Sequence, residues 1–383
     1  MSRLARAAGL SVAVGASTVL PGFLIGAMAL QMRGDLDASV GVVAAGVTVF
    51  FLAGAIAAGP GGRLAERLGP LTAMRRAVVV TATCLFAIAS LAGSLAAVFA
   101  LLAVAGLANA VAQPSINLFM AEQVPIDRQG LAFGIKQSAI PGAILVSGLA
   151  LPALALPLGW RATFAICGGL VLAVALLARQ QKGSFHPRAE REPAPRVQRE
   201  LLFLAVGATL GAAAASSLST YLVASAVDTG IAEGTAGLLA ALGSGASLVV
   251  RMTLGARADR RRDYGYGMVV VLLVLGSAGY LLLAADAVVP FVIGAVVAFG
   301  LGWGWPGLFN LAVVEHHREA PGAATGITQS GIYVGAAAGP ALYGVVSHQL
   351  GYSPTWAVVG GLSLLAGLVM AAAGRADVAA AAS

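Results

Sequence analysis

Long apolar runs alternate with short polar segments along the whole chain. Each run has about 20 residues, the length that a helix needs to cross the ~30 Å hydrocarbon core of a membrane. Because the runs do not alternate apolar and polar residues, they favour helices over the strands of a membrane barrel. The pattern predicts an all-α membrane protein with twelve transmembrane helices, at 8–31, 40–59, 73–93, 97–121, 130–156, 162–178, 201–225, 234–254, 265–285, 288–314, 322–347 and 355–374.

Composition and charge placement indicate lipid, not water, as the surroundings. The chain is 59% hydrophobic and 10% charged, whereas soluble domains carry roughly a quarter charged residues. If the N-terminus is cytoplasmic, nineteen of the 23 Lys and Arg residues fall on the inner side and only Arg33 and Arg161 on the outer side. This asymmetry predicts a cytoplasmic (inner) membrane protein with both termini in the cytoplasm. The net charge of +7 then reflects topology and anionic inner-leaflet lipid, not a nucleic acid partner.

The chain is built from a duplicated unit. A Gly-x-x-x-acid-Arg pattern occurs twice, 193 residues apart, at Gly62, Glu66 and Arg67 and at Gly255, Asp259 and Arg260. The segment 134–138 recurs as 326–330, at an offset of 192. A polar, proline-broken segment separates the copies. We therefore predict two parallel six-helix bundles, at 1–178 and 200–383, joined by a cytoplasmic linker at 179–199.

Two basic side chains fall within or near predicted spans. Arg251 lies one helical turn before Gly255, and Lys136 lies a few residues into the fifth span. An ionisable residue inside a span is a functional hypothesis, and a guanidinium can bind a carboxylate through two parallel hydrogen bonds. Two alternatives stay open. Arg251 could extend to the cytoplasmic surface, and Lys136 could bind only helix ends or Asp127.

Three amides share one face of the fourth span, because Asn109, Gln113 and Asn117 are spaced i, i+4 and i+8. These amides could bind substrate, and polar packing between helices is an equal alternative. Cys84 and Cys167 fall inside spans and the four histidines are scattered, so we expect no disulfide, metal site, cofactor or enzyme centre.

The twelve spans, the central linker and the doubled Gly-x-x-x-acid-Arg signature resemble the major facilitator superfamily of secondary transporters. The first copy departs from the family pattern, with Glu66 for Asp and Pro70 where a basic residue is usual. An arginine that is typical of proton-coupled drug exporters is missing near Leu101 and Leu102. The resemblance implies that two bundles alternate in access about a central site, with the doubled signature as a gating latch. A plain topology anchor is the alternative for the signature.

The resemblance also implies which residues meet the substrate. Spans one, four, seven and ten line the cavity in this family, so Tyr221, Trp303 and Asn310 become candidates beside the three amides. Arg251 followed by Gly255 is similar to the pattern in monocarboxylate, oxalate/formate and cyanate-type anion carriers, and Lys136 and Arg251 could flank one anion.

We therefore expect a secondary transporter, acting as a monomer, for a small organic or inorganic anion. The alternative is a drug or metabolite efflux pump of the same superfamily. All sixteen carboxylates fall in loops, linker or helix ends. A co-transported proton would have to travel with the substrate acid, through Glu122 or Glu315, or not at all.

Overall fold

A computed structural model describes residues 3–91, 93–123, 135–179, 199–260, 266–317 and 321–381, and within these ranges the chain is helical and contains no strand. The helices are α1 (Arg3–Ala27, then Ala29–Met32), α2 (Val40–Ala44 and Gly46–Leu68), α3 (Pro70–Leu91), α4 (Leu95–Gln123), α5 (Ala139–Ala150, the π-helical turn Leu151–Ala155, and Leu156–Leu158), α6 (Trp160–Arg179), α7 (Arg199–Asp228), α8 (Glu233–Arg260), α9 (Tyr266–Leu283), α10 (Val288–Val297, the π-helical turn Ala298–Gly302, and Pro306–His316), α11 (Pro321–Leu350) and α12 (Tyr352–Ala381).

Among the described residues, eleven of these helices are long and apolar enough to cross a membrane. The remaining one is α11, which has 30 residues but carries Thr325, Thr328, Gln329 and Ser330 in its first half. These polar side chains lower its mean hydropathy. The prediction of an all-α membrane protein is confirmed, with α11 as its least apolar span.

The charged signature lies in helices, where the sequence predicted a loop. Gly62, Glu66 and Arg67 belong to the last two turns of α2, which continues to Leu68. The second copy, from Gly255 to Arg260, belongs to the last turns of α8. Hydropathy marks only where apolar residues stop, whereas a helix continues through charged residues and is favoured by basic side chains at its C-terminus. At α2 the end comes at Gly69, whose φ of 77° breaks the helix, and Pro70 begins α3.

The chain divides into two compact units. Unit 1 contains Met1–Arg188, Ser219–Val227 and Ala232–Ala241, and unit 2 contains Ala189–Leu218, Asp228–Ile231 and Leu242–Ser383. The predicted linker at 179–199 lies almost entirely outside the described residues. The domain boundaries at 178 and 200 stay a prediction.

Unit 1 is assembled through small residues that let helix backbones approach closely. A Cβ at Gly61 of α2 would lie 2.6 Å from the carbonyl oxygen of Ala110 in α4. A Cβ at Gly148 of α5 would lie 2.7 Å from the carbonyl oxygen of Gly237 in α8. Because lipid tails give no hydrophobic drive for helix association, such close packing supplies much of the attraction between helices.

Unit 2 repeats this device between α7 and α11. Gly331, Gly335 and Gly339 are spaced by four residues, so they form one ridge along α11. A Cβ at each of them would overlap a backbone carbonyl of α7, at Ala205, Thr209 and Ala213 in turn. The three contacts follow one another along both helices, and they fix the register of α11 against α7.

We predict that Gly335→Ala destabilises the protein by about 1–3 kcal/mol, because the new methyl group cannot fit against the Thr209 carbonyl without moving a helix. The measurement is the thermal unfolding midpoint of purified protein in detergent. Gly361→Ala is the matched control, because Gly361 lies on α12 with no atom within 4 Å of an added Cβ. Equal midpoints for the two variants would contradict this packing.

Candidate functional site

The helix α10 is interrupted at its centre. Its first part ends in the π-helical turn Ala298–Gly302, residues 303–305 form a turn, and a second helix begins at Pro306. Three glycines fall in this stretch, and glycine is a poor helix former. Pro306 has no N–H and therefore cannot continue the hydrogen bonding of the helix before it. The interruption frees backbone carbonyls inside a span, where each needs a partner from the protein.

Arg251 of α8 supplies a partner for one of these carbonyls. Its Nη2 donates a hydrogen bond to the carbonyl oxygen of Trp303 at 2.5 Å. The residue is 6% exposed, so the guanidinium is buried. A hydrogen bond from a charged donor is roughly twice as strong as a neutral one. Arg251 therefore holds the interruption in α10.

Small residues bring α8 and α10 together beside Arg251. A Cβ at Gly300 of α10 would lie 3.7 Å from the Ala246 methyl and 3.8 Å from Val250. A Cβ at Gly304 would lie 2.9 Å from Val250. The backbones are thus close enough for an arginine of α8 to reach a main-chain oxygen of α10.

Ser244 and Ser247 share a helix face with Arg251, and the sequence analysis missed them. The three residues are spaced i, i+3 and i+7. Both serines are 1% exposed, and their hydroxyl groups have no hydrogen-bond partner within the described part of the chain. Serine has little effect on hydropathy, so only its spacing from Arg251 could have singled the pair out. The result is a polar stripe along the buried face of α8.

Aromatic side chains border the interruption. The ring of Trp303 stacks on Phe299, with centroids 5.9 Å apart and planes 15° apart. Trp305 is fully buried and meets Phe309 edge to face at 5.4 Å, and its indole N–H has no hydrogen-bond partner among the described residues. Asn310 is half-buried in the second part of α10. Trp303 contacts Arg251 through its main-chain carbonyl group.

The predicted amide face of α4 lies in unit 1 and binds neighbouring helices. The Thr18 hydroxyl of α1 and the Gln113 amide both donate to Oδ1 of Asn109, each at 3.2 Å. Lys136 Nζ donates to Oδ1 of Asn117 at 2.7 Å. The bonds from Thr18 and Lys136 join α4 to neighbouring segments, whereas the bond from Gln113 lies within α4. Substrate binding by the amides stays a prediction.

Not all of the predicted residues share one unit. Arg251, Trp303 and Asn310 belong to unit 2, whereas Lys136, the three amides and Tyr221 belong to unit 1. Tyr221 is 1% exposed. Asp127, the other partner considered for Lys136, lies outside the described residues.

The sequence model of the Major Facilitator Superfamily matches residues 10–327 and, a second time, residues 201–381. The chain belongs to the Major Facilitator Superfamily. It is a multi-pass membrane protein and a secondary transporter, since the members of this superfamily are transporters and not enzymes. A comparison with curated proteins found no match.

The residues of the doubled Gly-x-x-x-acid-Arg signature, for which a gating role stays a prediction, are described only in part. Glu66 and Arg67 are exposed at the end of α2, and Gly62 is half-buried. Gly255 is half-buried in α8, and the side chains of Asp259 and Arg260 lie outside the described residues. In the ranges that the structure covers, no three His, Cys, Asp or Glu side chains are grouped to hold a metal ion.

We predict that Arg251→Met lowers the free energy of unfolding of the transporter by about 1–3 kcal/mol, because it leaves the Trp303 carbonyl without its charged donor. The thermal unfolding midpoint in detergent measures the loss. Met252→Ala is the control, since Met252 follows Arg251 in α8 and is 62% exposed. A midpoint for Arg251→Met at or above that of Met252→Ala would show that Arg251 does not stabilise the interruption.

Proposed function

We propose that this transporter carries a small anion and that Arg251 binds the charged group of the substrate. The observation that carries the proposal is a buried guanidinium at an interrupted span. The Trp303 carbonyl that accepts from this guanidinium is a neutral group. The attraction between a cation and an anion strengthens where water is excluded. A carboxylate or a similar planar anion is the partner that best fits a guanidinium.

The second part of α10 supports the same proposal. It has 11 residues and begins at Pro306, within three residues of the carbonyl that Arg251 binds. The N-terminus of a helix carries a partial positive charge and unsatisfied N–H groups, which favour anions. Interrupted spans in secondary transporters direct such half-helix ends at anionic substrate groups. Ser244 and Ser247 add two hydroxyl donors on the same buried face of α8 as Arg251.

We also propose Lys136, in unit 1, as a cation that binds the substrate. Its ammonium group is fixed by Asn117 at 2.7 Å, and the remaining N–H groups of an ammonium can donate to an anion.

We propose that the transporter works as a monomer in the cytoplasmic membrane with both termini in the cytoplasm. We also propose that any co-transported proton travels with the substrate acid.

We expect Arg251→Gln to raise the half-saturating concentration for a monocarboxylate by about 10- to 100-fold, the loss of one charged hydrogen bond. The assay is uptake of labelled monocarboxylates into proteoliposomes. Arg257→Gln is the matched control, because it removes the same charge from an exposed position on the same helix. Arg251→Lys keeps the positive charge but loses the planar guanidinium group. It therefore distinguishes an effect on folding from an effect on anion binding.

Three results would contradict the proposal that the substrate is an anion. Monocarboxylate uptake could be unchanged in Arg251→Gln, although the protein folds. Arg257→Gln could lower uptake equally, which would indicate a general charge effect. The wild-type protein could export hydrophobic cations and take up no anion, in which case the efflux alternative is correct.

For Lys136 we predict that Lys136→Gln raises the half-saturating concentration about tenfold, while Asn117→Ala raises it less, since the lysine keeps its charge in the second variant. The same uptake assay compares the two. If Asn117→Ala impairs uptake as much as Lys136→Gln does, the pair holds α4 against the segment that precedes α5 and does not bind the substrate.

A further inference from the structure

A groove with two arginines at one end lies on unit 1, away from the residues proposed to bind substrate. It has a volume of about 430 Å³. Its lining comes from α3 and α6, with Thr72, Arg75, Arg76, Val79, Val80 and Ala175. The first three residues are polar and the last three are apolar. Most of the surface that lines the groove is apolar, and the polar residues contribute a small part of it.

The groove follows from how α3 packs on α6. Towards one end of the pair, a Cβ at Gly168 of α6 would lie 3.3 Å from the ring of Phe86, so the helices are in close contact there. Towards the other end, α6 presents Ala175 opposite Val79 and Val80. The alanine methyl group does not fill the space that a larger side chain would occupy, and the surface between the helices is left concave.

Arg75 is held in place at the polar end. Its Nε donates to the carbonyl oxygen of Ala178 at 2.8 Å, in the last turn of α6, where carbonyl groups lack partners within the helix. Arg76 follows it directly and is exposed. Both lie in the second turn of α3. Two arginines thus line the groove near the N-terminal end of one helix.

The apolar wall is exposed on the outside of a membrane-spanning unit. Val79 is 40% exposed and Val80 is 38% exposed. In a span, such side chains face acyl chains and not water. A ligand that fits the groove therefore needs a negatively charged group at one end and a hydrocarbon chain running from it.

We propose that the groove binds an anionic phospholipid, with its phosphate at Arg75 and Arg76 and an acyl chain along Val79, Val80 and Ala175. Free phosphate or a soluble substrate would gain nothing from the apolar wall. A zwitterionic lipid would match the wall but would bring a second, positive group towards the arginines. The proposal needs the membrane location of the chain and does not rest on the anion substrate.

The test is native mass spectrometry of the purified full chain with phosphatidylglycerol, and with phosphatidylcholine of the same acyl chains. We expect the wild-type protein to retain phosphatidylglycerol in preference. Arg76→Gln should weaken its retention about fivefold, the effect of one basic residue near an anionic lipid surface. Ala175→Leu should weaken the retention of the lipid by filling the groove. Glycerol phosphate, which has the phosphate and no acyl chain, should not compete.

Two matched variants serve as controls. Arg6→Gln removes an exposed arginine that does not line the groove, and Ala173→Leu adds the same bulk to an exposed position of α6 outside it. Both should retain phosphatidylglycerol like the wild type. The proposal is wrong if Arg76→Gln leaves retention unchanged, if Arg6→Gln lowers it equally, or if the wild type retains both lipids alike. Arg76→Gln decides the matter alone if Ala175→Leu fails to fold.

Discussion

In a membrane, every backbone polar group needs a partner from the protein itself. Continuous helices satisfy this requirement, which is why the chain is built from long spans. The exception in the described residues of unit 2 is the turn at 303–305, where α10 stops and starts again. There a side chain does what the helix cannot, because Arg251 donates to the Trp303 carbonyl. The same constraint therefore explains the spans, the cost of interrupting one, and the presence of a buried cation at the interruption.

Helix association in lipid depends on close contact more than on apolar burial, because lipid tails are as apolar as the helix faces. The glycine ridge of α11 against α7 in unit 2 and the Gly61 contact in unit 1 meet this need by the same means. The 50 glycines of the chain are thus consistent with its packing. Where α6 carries Ala175 and α3 carries Val79 and Val80, the contact opens into a groove. Small residues can therefore let two helices pack closely or leave a groove between them. The outcome depends on the side chains of the facing helix.

Hydropathy and charge could predict the all-α class and the spans, since lipid imposes a length and a polarity on each helix. They could not predict where helices end, and so Gly62 to Arg67 were expected in a loop although they belong to α2. They also missed the interruption of α10, because Gly and Pro occur in many uninterrupted spans and their effect depends on whether a neighbour supplies a donor. The three amides of α4 were correctly placed on one face. Their partners Thr18 and Lys136 could not be found, since a spacing within one helix says nothing about its neighbours.

Three arginines that differ in their exposure to solvent illustrate why residue type alone does not assign a role. Arg67 is exposed at the end of a helix. Arg75 is fixed by a carbonyl at a helix end and faces a groove. Arg251 is buried, and its charge is removed from solvent. The field of a charge strengthens as the surroundings lose water, so the arginine that costs most to bury is also the one that can attract an anion most strongly. A buried guanidinium is for this reason a better pointer to the substrate than the net charge of the chain.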